Sequence, residues 1–400
     1  MEKKETVILR RCIETLLFII WPFAAFVSAF FHLRDRYSNI FIPLFFALVG
    51  YSRKLGVTSD AYHWMQVMLD YKWYGISDFL GYLFDTTTLN FYSFTYHIYL
   101  YISAILFEHT ASFWAATFFL YSFVMLLIYR LITKRTNCLD SRKTAILGLL
   151  FFLFFPFSSF GVRFWAAAIV FIYGFYQKML YDRKLGLFLI VLSATFHYTF
   201  IFLVGVYFFA YYNKRMSKSH FIVFALFVIF MGFGLYMSGF FDFMNVFDQK
   251  IEGYTNTENR GEYFSSKSFF ILFDRFACPI CSLLLLLYLN KKTSGFSDVH
   301  LINIRHFLIF SALSLLLFLG TYDALDRFSR VFSFSVLTFW IYLTNKGVKV
   351  NKFVALCASM TYFYHIMVNF VLTRSWLDSD VLFSSVFSIL SKPDDVILLY

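Results

Sequence analysis

The chain has 400 residues, of which 60% are hydrophobic, 24% aromatic and only 15% charged. This composition, with its many long apolar stretches, excludes a soluble globular protein and predicts an integral membrane protein. The net charge of +11 does not indicate nucleic-acid binding, because the positive residues lie in short clusters between apolar segments. Such clusters are typical of cytoplasmic loops.

Apolar segments close to the roughly 20 residues that a helix needs to cross a bilayer recur along the chain. The clear spans are residues 12–31, 112–131, 144–160, 163–180, 219–240, 268–289, 307–320, 328–344 and 353–373. Two weaker segments, 39–51 and 91–107, are short or amphipathic. We therefore predict an all-α, polytopic membrane protein with about 10–12 transmembrane helices in a single domain.

Residues 51–88 follow the first weak segment and are rich in polar and aromatic residues. Arg10 and Arg11 favour a cytoplasmic start, and two crossings then place 51–88 inside. If either weak segment, 39–51 or 91–107, does not cross, the same stretch lies outside. The sequence leaves both arrangements open.

Residues 185–212 lie between two basic clusters, Arg183–Lys184 and Lys214–Arg215. Both clusters are expected in the cytoplasm, yet the segment is too short for two full crossings at about 20 residues each. A broken or re-entrant hairpin with its apex at Thr195–Tyr198 satisfies both conditions. The alternative is a single tilted helix that violates the charge rule once.

The hairpin makes the rest of the chain consistent with the charge rule. Residues 241–267 then form an outer loop, Thr321–Arg327 lie outside, and 374–400 form an outer tail. Lys346–Lys352 are expected inside. Arg163 is expected at the outer end of its helix.

Ionisable side chains at membrane depth are costly unless they are paired or hydrated, so they are functional candidates. Arg163 opens a helix after a break, where its guanidinium can bind a phosphate or extend to the membrane interface. His197, at the apex, can act as a general base or hydrogen-bond a freed backbone carbonyl. Trp64 and Tyr198 belong to the outer-rim aromatics, which either stack on sugar rings or form an ordinary aromatic belt.

Further candidates lie in two other stretches. Asp323 and Arg327 are four residues apart, so in a helix they share a face. They form either a structural ion pair or an arginine poised for pyrophosphate, and Arg330 follows in the same stretch. Arg53 and Asp60 lie after the first weak span.

The chain contains no Walker loop, GxGxxG, HExxH or cluster with metal-ligand spacing. ATP hydrolysis and metalloprotease chemistry are therefore not predicted. Cys278 and Cys281 match a CxxC pattern but lie within an apolar run, and we interpret them as packing residues. His365 and Asn369, one turn apart, are interpreted as groups that join helices.

The order of these pieces resembles the EpsG-like branch of the Wzy-type polysaccharide polymerases, over roughly residues 40–390. The resemblance depends on short motifs and on their order, spacing and helical context. The motifs are Gly50–Arg53 with Ser59–Tyr62, Phe160–Phe164 followed by Ala166–Ala168, Ala194–His197, and Arg327–Phe328.

The resemblance implies a glycosyltransferase with a GT-C-like fold in the bacterial cytoplasmic membrane. Its activity would be to join oligosaccharide repeat units, carried on undecaprenyl pyrophosphate, into surface polysaccharide at the outer leaflet. The resemblance implies no nucleotide sugar, metal or other cofactor. Membrane lipid is an implied partner, and so are a flippase and a chain-length regulator, whereas nucleic acid is not.

This chemistry gives the candidate residues their roles. Arg163 and Arg327 would stabilise the pyrophosphate leaving group without a metal cation. His197 or Asp60 would take the proton of the acceptor hydroxyl, and Asp323 would favour an oxocarbenium-like transition state. The remaining predicted substrate-binding residues are Arg53, Arg330 and Tyr198.

Other functions fit parts of the pattern. A transporter or flippase of lipid-linked sugars can also contain a broken hairpin, but the sequence shows no inverted repeat. An O-antigen ligase or a membrane acyltransferase is a second alternative, although 241–267 is short for the outer domain that a ligase needs. A purely structural membrane protein would leave the buried ionisable groups without a purpose.

Overall fold

A computed structural model describes residues 4–33, 35–53, 60–85, 93–134, 141–154, 162–212, 269–318, 322–373 and 380–391. Within these residues every regular element is a helix, so the predicted all-α class is confirmed. The predicted span 219–240 and the predicted outer loop 241–267 lie outside the described residues.

Most helices coincide with an apolar segment of the sequence, and several shorter ones do not. In chain order they are α1 (Lys4–Ile20), α2 (Pro22–Phe31), η1 (Ser38–Ile40), α3 (Phe41–Tyr51), α4 (Asp60–Tyr71), α5 (Ile76–Leu83), α6 (Phe94–Leu106), α7 (Thr110–Thr133), α8 (Ser141–Phe154), α9 (Val162–Tyr181), α10 (Lys184–Phe196), α11 (Phe200–Tyr212), α12 (Phe269–Thr293), α13 (Val299–Ser314), η2 (Leu315–Phe318), α14 (Tyr322–Asn345), α15 (Lys352–Thr373), α16 (Asp380–Phe383) and α17 (Val386–Leu390).

By length and composition, α7, α12 and α15 are able to cross a membrane, and seven shorter apolar helices accompany them in the described segments. The chain is therefore an all-α membrane protein, whereas the number of 10–12 crossings stays a prediction. The predicted spans 112–131, 163–180 and 353–373 correspond to α7, α9 and α15.

The chain divides into two compact units. The first contains Met1–Ile201, Ile341–Gly347 and Asn369–Tyr400, and the second contains Phe202–Trp340 and Val348–Val368. The prediction of a single membrane domain stays a prediction. Each unit is described by itself below.

The prediction of one span over 12–31 is wrong, because α1 and α2 are separate helices that fold back on each other. Pro22 begins α2, and Trp21 before it has φ −147° and ψ 82°, outside the helical region. A residue that precedes proline is pushed out of the helical conformation by the proline ring. Arg11 in α1 consequently reaches Asp35, just after α2.

Asp35 joins the base of this hairpin through several donors. Its carboxylate accepts hydrogen bonds from the side chains of Arg10 and Arg11 and from the backbone N–H of Tyr37. Burial alone would raise the pKa of Asp35, but the hydrogen bonds from Arg11, Tyr37 and Arg10 outweigh it and lower the pKa to about 2. The carboxylate therefore ties the two helices together at neutral pH.

Close backbone contacts fix the long helices of the first unit. A Cβ atom at Gly50 in α3 would lie 2.8 Å from the carbonyl carbon of Trp114 in α7. A Cβ atom at Gly174 in α9 would lie 2.8 Å from the carbonyl oxygen of Gly186 in α10. Since only glycine lacks this atom, both helix pairs depend on glycine for their separation.

The predicted break in 185–212 is confirmed. α10 ends at Phe196, α11 begins at Phe200, and His197, Tyr198 and Thr199 lie between them. Each helix has 13 residues, or about 20 Å, which is shorter than the roughly 30 Å hydrocarbon core of a bilayer. The return of α11 as the second arm of a hairpin stays a prediction, because most of α11 belongs to the second unit.

The first unit has two distinct ends. At one, Tyr181 at the end of α9 donates to the carbonyl of Leu131 near the end of α7, at 3.1 Å. At the other, Arg53 lies over Trp114 near the start of α7, and Arg163 lies in the first turn of α9. About 17 helical residues of α7, or roughly 25 Å, separate these two ends of the unit. The basic residues of the first end include Lys134, Lys178, Arg183 and Lys184.

The last helices of the chain return to the first unit. α16 and α17 lie within the predicted outer tail, and the indole N–H of Trp21 donates to the carbonyl of Leu382 at 2.7 Å. The hydroxyl of Tyr51 reaches the carbonyl of Leu390 at 3.5 Å. The tip of the α1–α2 hairpin and the end of α3 therefore contact the carboxyl-terminal helices.

Candidate active site

Arg163 is held by an aromatic ring and a hydroxyl. Its guanidinium carbon lies 4.0 Å from the ring centroid of Trp64 in α4. One guanidinium nitrogen donates to Ser93 Oγ, just before α6, at 3.2 Å. Tryptophan is the ring that binds a cation most strongly in this way. Residues of α4 and of the segment before α6 therefore meet at Arg163, at the start of α9.

Trp64 is itself fixed by buried neighbours. It is 4% exposed, and the rings of Tyr96 and His97 in α6 meet it edge-on, at 5.4 and 5.6 Å between centroids. The ring of His97 shares a 2.6 Å hydrogen bond with the hydroxyl of Tyr71 at the end of α4. The platform beneath Arg163 is therefore rigid.

His197 contacts the sequence neighbour of the same arginine. Its ring is 7% exposed and meets the ring of Phe164, the residue after Arg163, at 5.5 Å and 83°. Nδ1 of His197 lies 2.8 Å from Thr199 Oγ1, and Tyr198 stacks on the imidazole at 5.1 Å. The structure thus brings His197 and Tyr198 to the end of the unit that carries Arg163.

A hydroxyl pair joins α10 to α6 at this point. Thr195, two residues before His197, shares a 2.6 Å hydrogen bond with Thr95, two residues after Ser93. The two predicted residues Arg163 and His197 are therefore linked indirectly, through Phe164 and through the start of α6.

Arg53 lies buried after α3, in a second arginine–tryptophan stack. Its guanidinium carbon is 4.5 Å from the ring centroid of Trp114 and 5.5 Å from that of Phe118, both in α7. Tyr96, which touches Trp64, also acts electrostatically on Arg53. Tyr96 therefore interacts with the tryptophan of one of these arginine–tryptophan stacks and with the arginine of the other.

Asp60 is the first residue of α4. It lies one helical turn before Trp64, and positions four apart share a helix face. Its side chain is outside the described part of the chain, and its predicted role as a base stays a prediction. The stretch 60–71, whose membrane side the sequence left open, lies at the Arg163 end of the first unit.

The remaining predicted residues belong to the second unit. Arg330 is engaged by Asp326, four residues earlier in α14, through contacts of 2.9 and 3.2 Å. Arg327 is half-buried in the same helix. Asp323 also lies in α14, but its side chain is outside the described part, so the expected pairing of Asp323 with Arg327 stays a prediction.

A buried acid–base pair lies near these residues within the second unit. Nδ1 of His365 in α15 is 2.9 Å from the carboxylate of Asp274 in α12, and both side chains are at most 3% exposed. This contact confirms that His365 joins helices. Arg275 and His365 also act electrostatically on Asp326, so polar groups of three helices meet here.

Sequence reasoning missed the groups that position Arg163. Trp64 was noted only as an outer-rim aromatic, and Ser93 and Thr95 were not noted at all. The sequence does place Trp64 four residues after Asp60 at the start of α4, which marks it as a candidate. The contact of α4 with α9, however, is visible only in the structure. Within the described segments, no group of three or more His, Cys, Asp or Glu side chains is arranged to hold a metal ion.

These observations define the class: an all-α membrane protein in which Arg163 and His197 lie at one end of the first unit. A family model of the EpsG family matches residues 36–379, most of the chain, and the chain belongs to that family. EpsG-like proteins are Wzy-type polymerases, which supports a general polysaccharide-polymerase role with lipid-linked oligosaccharides as substrates. Comparisons with curated proteins and with solved structures give no match.

Proposed function

We propose that this protein joins oligosaccharide repeat units carried on undecaprenyl pyrophosphate into a surface polysaccharide at the outer face of the bacterial cytoplasmic membrane. The observation that carries the proposal is the ring contact between His197 and Phe164, the residue after Arg163, at one end of the first unit. We propose that this end of the unit holds both an anion-binding group, Arg163, and a base, His197. Glycosyl transfer from a lipid pyrophosphate needs both.

The proposed reaction exchanges one bond for another. An acceptor hydroxyl oxygen bonds to the anomeric carbon of the growing chain, and the bond from that carbon to the pyrophosphate oxygen breaks. The hydroxyl proton passes to His197, and Arg163 stabilises the charge on the departing pyrophosphate. No redox partner or nucleotide sugar is needed for the balance, and the proposal uses no metal.

The tautomer of His197 matters for this role. A base at Nε2 requires the form in which Nδ1–H donates to Thr199 Oγ1, so that Nε2 keeps its lone pair. The 2.8 Å contact between Nδ1 and Thr199 suits that form. Thr199 then orients the ring, as the third group does in other activated base arrangements.

Other residues complete the proposed site. Asp60 is the alternative base, Asp323 the carboxylate that favours an oxocarbenium-like transition state, and Tyr198 a platform for a sugar ring. The proposed anion-binding residues besides Arg163 are Arg53, Arg327 and Arg330. A flippase that supplies the repeat units and a chain-length regulator are proposed as partners.

The distribution of positive charge supports a position of the proposed site on the outer side of the membrane. The end of the first unit opposite Arg163 carries the basic clusters, which in membrane proteins stay in the cytoplasm. Arg53, Arg163 and His197 lie roughly 25 Å away along α7 and α9. This separation is close to the thickness of a hydrocarbon core and supports an extracytoplasmic position for the site.

The proposal is tested by replacing Arg163→Ala in producing cells. We expect membrane levels to be unchanged and long-chain polymer to disappear, with single repeat units accumulating outside the membrane. Arg183→Ala is the matched control, because Arg183 is an exposed arginine at the opposite end of the unit and should leave the polymer unchanged. An unaltered polymer length distribution in Arg163→Ala would remove Arg163 from the mechanism.

A further inference from the structure

Trp64 carries a buried hydrogen-bond donor that the fold does not use. Its indole N–H is inaccessible to solvent and has no acceptor among the described residues, and the side chain as a whole is only 4% exposed. A buried donor without an acceptor costs about 1–3 kcal/mol. Most buried donors in proteins are paired, so an unpaired one calls for an explanation.

The surroundings of this donor suit an anion. The face of the same indole supports the Arg163 guanidinium at 4.0 Å. Ser93 Oγ accepts from Arg163, so this bond does not use the hydroxyl hydrogen of Ser93. A guanidinium, an indole N–H and a hydroxyl are all donors, and a phosphate oxygen accepts from all three.

The neighbours of Trp64 keep the donor in place. Tyr96 and His97 contact the ring edge-on, and His97 is tied to Tyr71. The indole therefore does not need to be ordered when a ligand arrives, which reduces the entropy cost of binding.

From this geometry we infer that Trp64 is a substrate-binding residue whose indole N–H donates to a phosphate oxygen of the lipid-linked pyrophosphate, beside Arg163. The inference rests on the proposed function and deepens it, because it assigns tryptophan a role other than stacking on sugar. The indole serves twice: its face positions Arg163, and its edge binds the same anion.

The test separates the two roles of the ring. Trp64→Phe removes the N–H and keeps an aromatic face, whereas Trp64→Leu removes both. With purified full-length protein, we expect Trp64→Phe to weaken the binding of a short-chain prenyl pyrophosphate about tenfold, the effect of one hydrogen bond to a charged group. Trp64→Leu should weaken binding further. Trp340→Phe, at an equally buried tryptophan of the second unit that is 3% exposed, should bind as the wild type does.

A second replacement covers the case in which Trp64→Phe does not fold. Replacing Trp64 with 3-benzothienylalanine keeps the shape of the ring and exchanges only N–H for sulphur, and it should give the same tenfold loss. Wild-type affinity in both variants would overturn the inference while leaving the proposed function intact. If the wild type does not bind the prenyl pyrophosphate, or Arg163→Ala binds it equally well, the proposed function fails instead.

Discussion

At the scale of single residues, the described contacts of Arg163 and Arg330 differ in kind. Arg163 lies on the face of Trp64 and donates to Ser93, and neither contact neutralises its charge. Arg330 is paired with the carboxylate of Asp326, which compensates its charge. The guanidinium of Arg163 is held by an aromatic face and a hydroxyl, and Arg163 stays the proposed main pyrophosphate ligand.

His197 is expected to affect the chemical step and not the binding of the lipid. We predict that His197→Asn slows the joining of repeat units by about 10²- to 10⁴-fold, the usual contribution of a positioned acid or base. Binding of a prenyl pyrophosphate should stay within about twofold of wild type, since Arg163 and Trp64 are untouched. Single-turnover kinetics measure the rate of joining, and a binding isotherm measures the affinity for the prenyl pyrophosphate. Equal losses in both would assign His197 to binding.

Asp35 provides a prediction about pH. Its folded-state pKa of about 2 lies below the unfolded value of about 3.9, so its stabilisation is complete above pH 4 and is lost as the pH falls through 2. Asp35→Asn should therefore lower the stability of the α1–α2 hairpin at pH 7 by about 1–2 kcal/mol. Thermal unfolding in detergent at pH 7 and pH 3 checks this, since the difference between variant and wild type should shrink at the lower pH. An equal difference at both would contradict the ion-pair account.

At the scale of elements, the α9–α10 pair sets the distance between Arg163 and His197. A Cβ atom at Gly186 would fall within 3 Å of backbone atoms of both Lys178 and Gly174. These are backbone atoms and cannot rotate away, so α10 would have to move. His197 directly follows α10, some 11 residues or about 16 Å along the helix from Gly186. A movement of α10 caused by a side chain at Gly186 would therefore displace His197.

We therefore predict that Gly186→Ala costs about 1–3 kcal/mol through overpacking and reduces polymerisation. Gly205→Ala in α11 is the matched control, because nothing lies within 4 Å of the added Cβ atom there. The control should be neutral or slightly stabilising, since alanine is the better helix former. Thermal midpoints and polymer yield distinguish the two variants. Equal behaviour of both would show that the close α9–α10 contact is unimportant.

The sequence predicted elements well where periodicity and length agree, as in α7, α9 and α15. It failed at Trp21–Pro22, where an unbroken apolar run conceals a proline that ends one helix and starts another. It also left α4 and α5 as part of a polar stretch, because polar and aromatic residues alternate there without a long apolar face. Tertiary packing on α6 stabilises these short helices, and such packing cannot be predicted from the composition of the segments themselves.

At the scale of the whole molecule, the EpsG family match covers residues 36–379. The α1–α2 hairpin and the helices α16 and α17 lie outside it, yet Trp21 donates to Leu382. The two ends of the chain thus pack together within the first unit. Sequence order cannot reveal such a contact between segments some 360 residues apart.

The sequence predicted the main residues of the candidate site but not the residues that hold them in place. Arg163 and His197 stood out as ionisable groups at helix breaks, and the structure has both at the same end of the first unit. Their supports, Trp64 and Ser93, come from α4 and the start of α6, at sequence distances that no local pattern encodes. Arg327 and Arg330 were grouped with them because they lie in a charged stretch expected at the outer face, and Arg327 also because of the family pattern; both belong to the second unit.

The most direct test of the account is polymerisation by the purified protein in liposomes that contain undecaprenyl-pyrophosphate-linked repeat units and a metal chelator. The account predicts a ladder of polymer lengths from the wild type, with release of undecaprenyl pyrophosphate, and no ladder from Arg163→Ala at equal incorporation. Repeat units that are moved across the bilayer but never joined would contradict it and would favour a transporter.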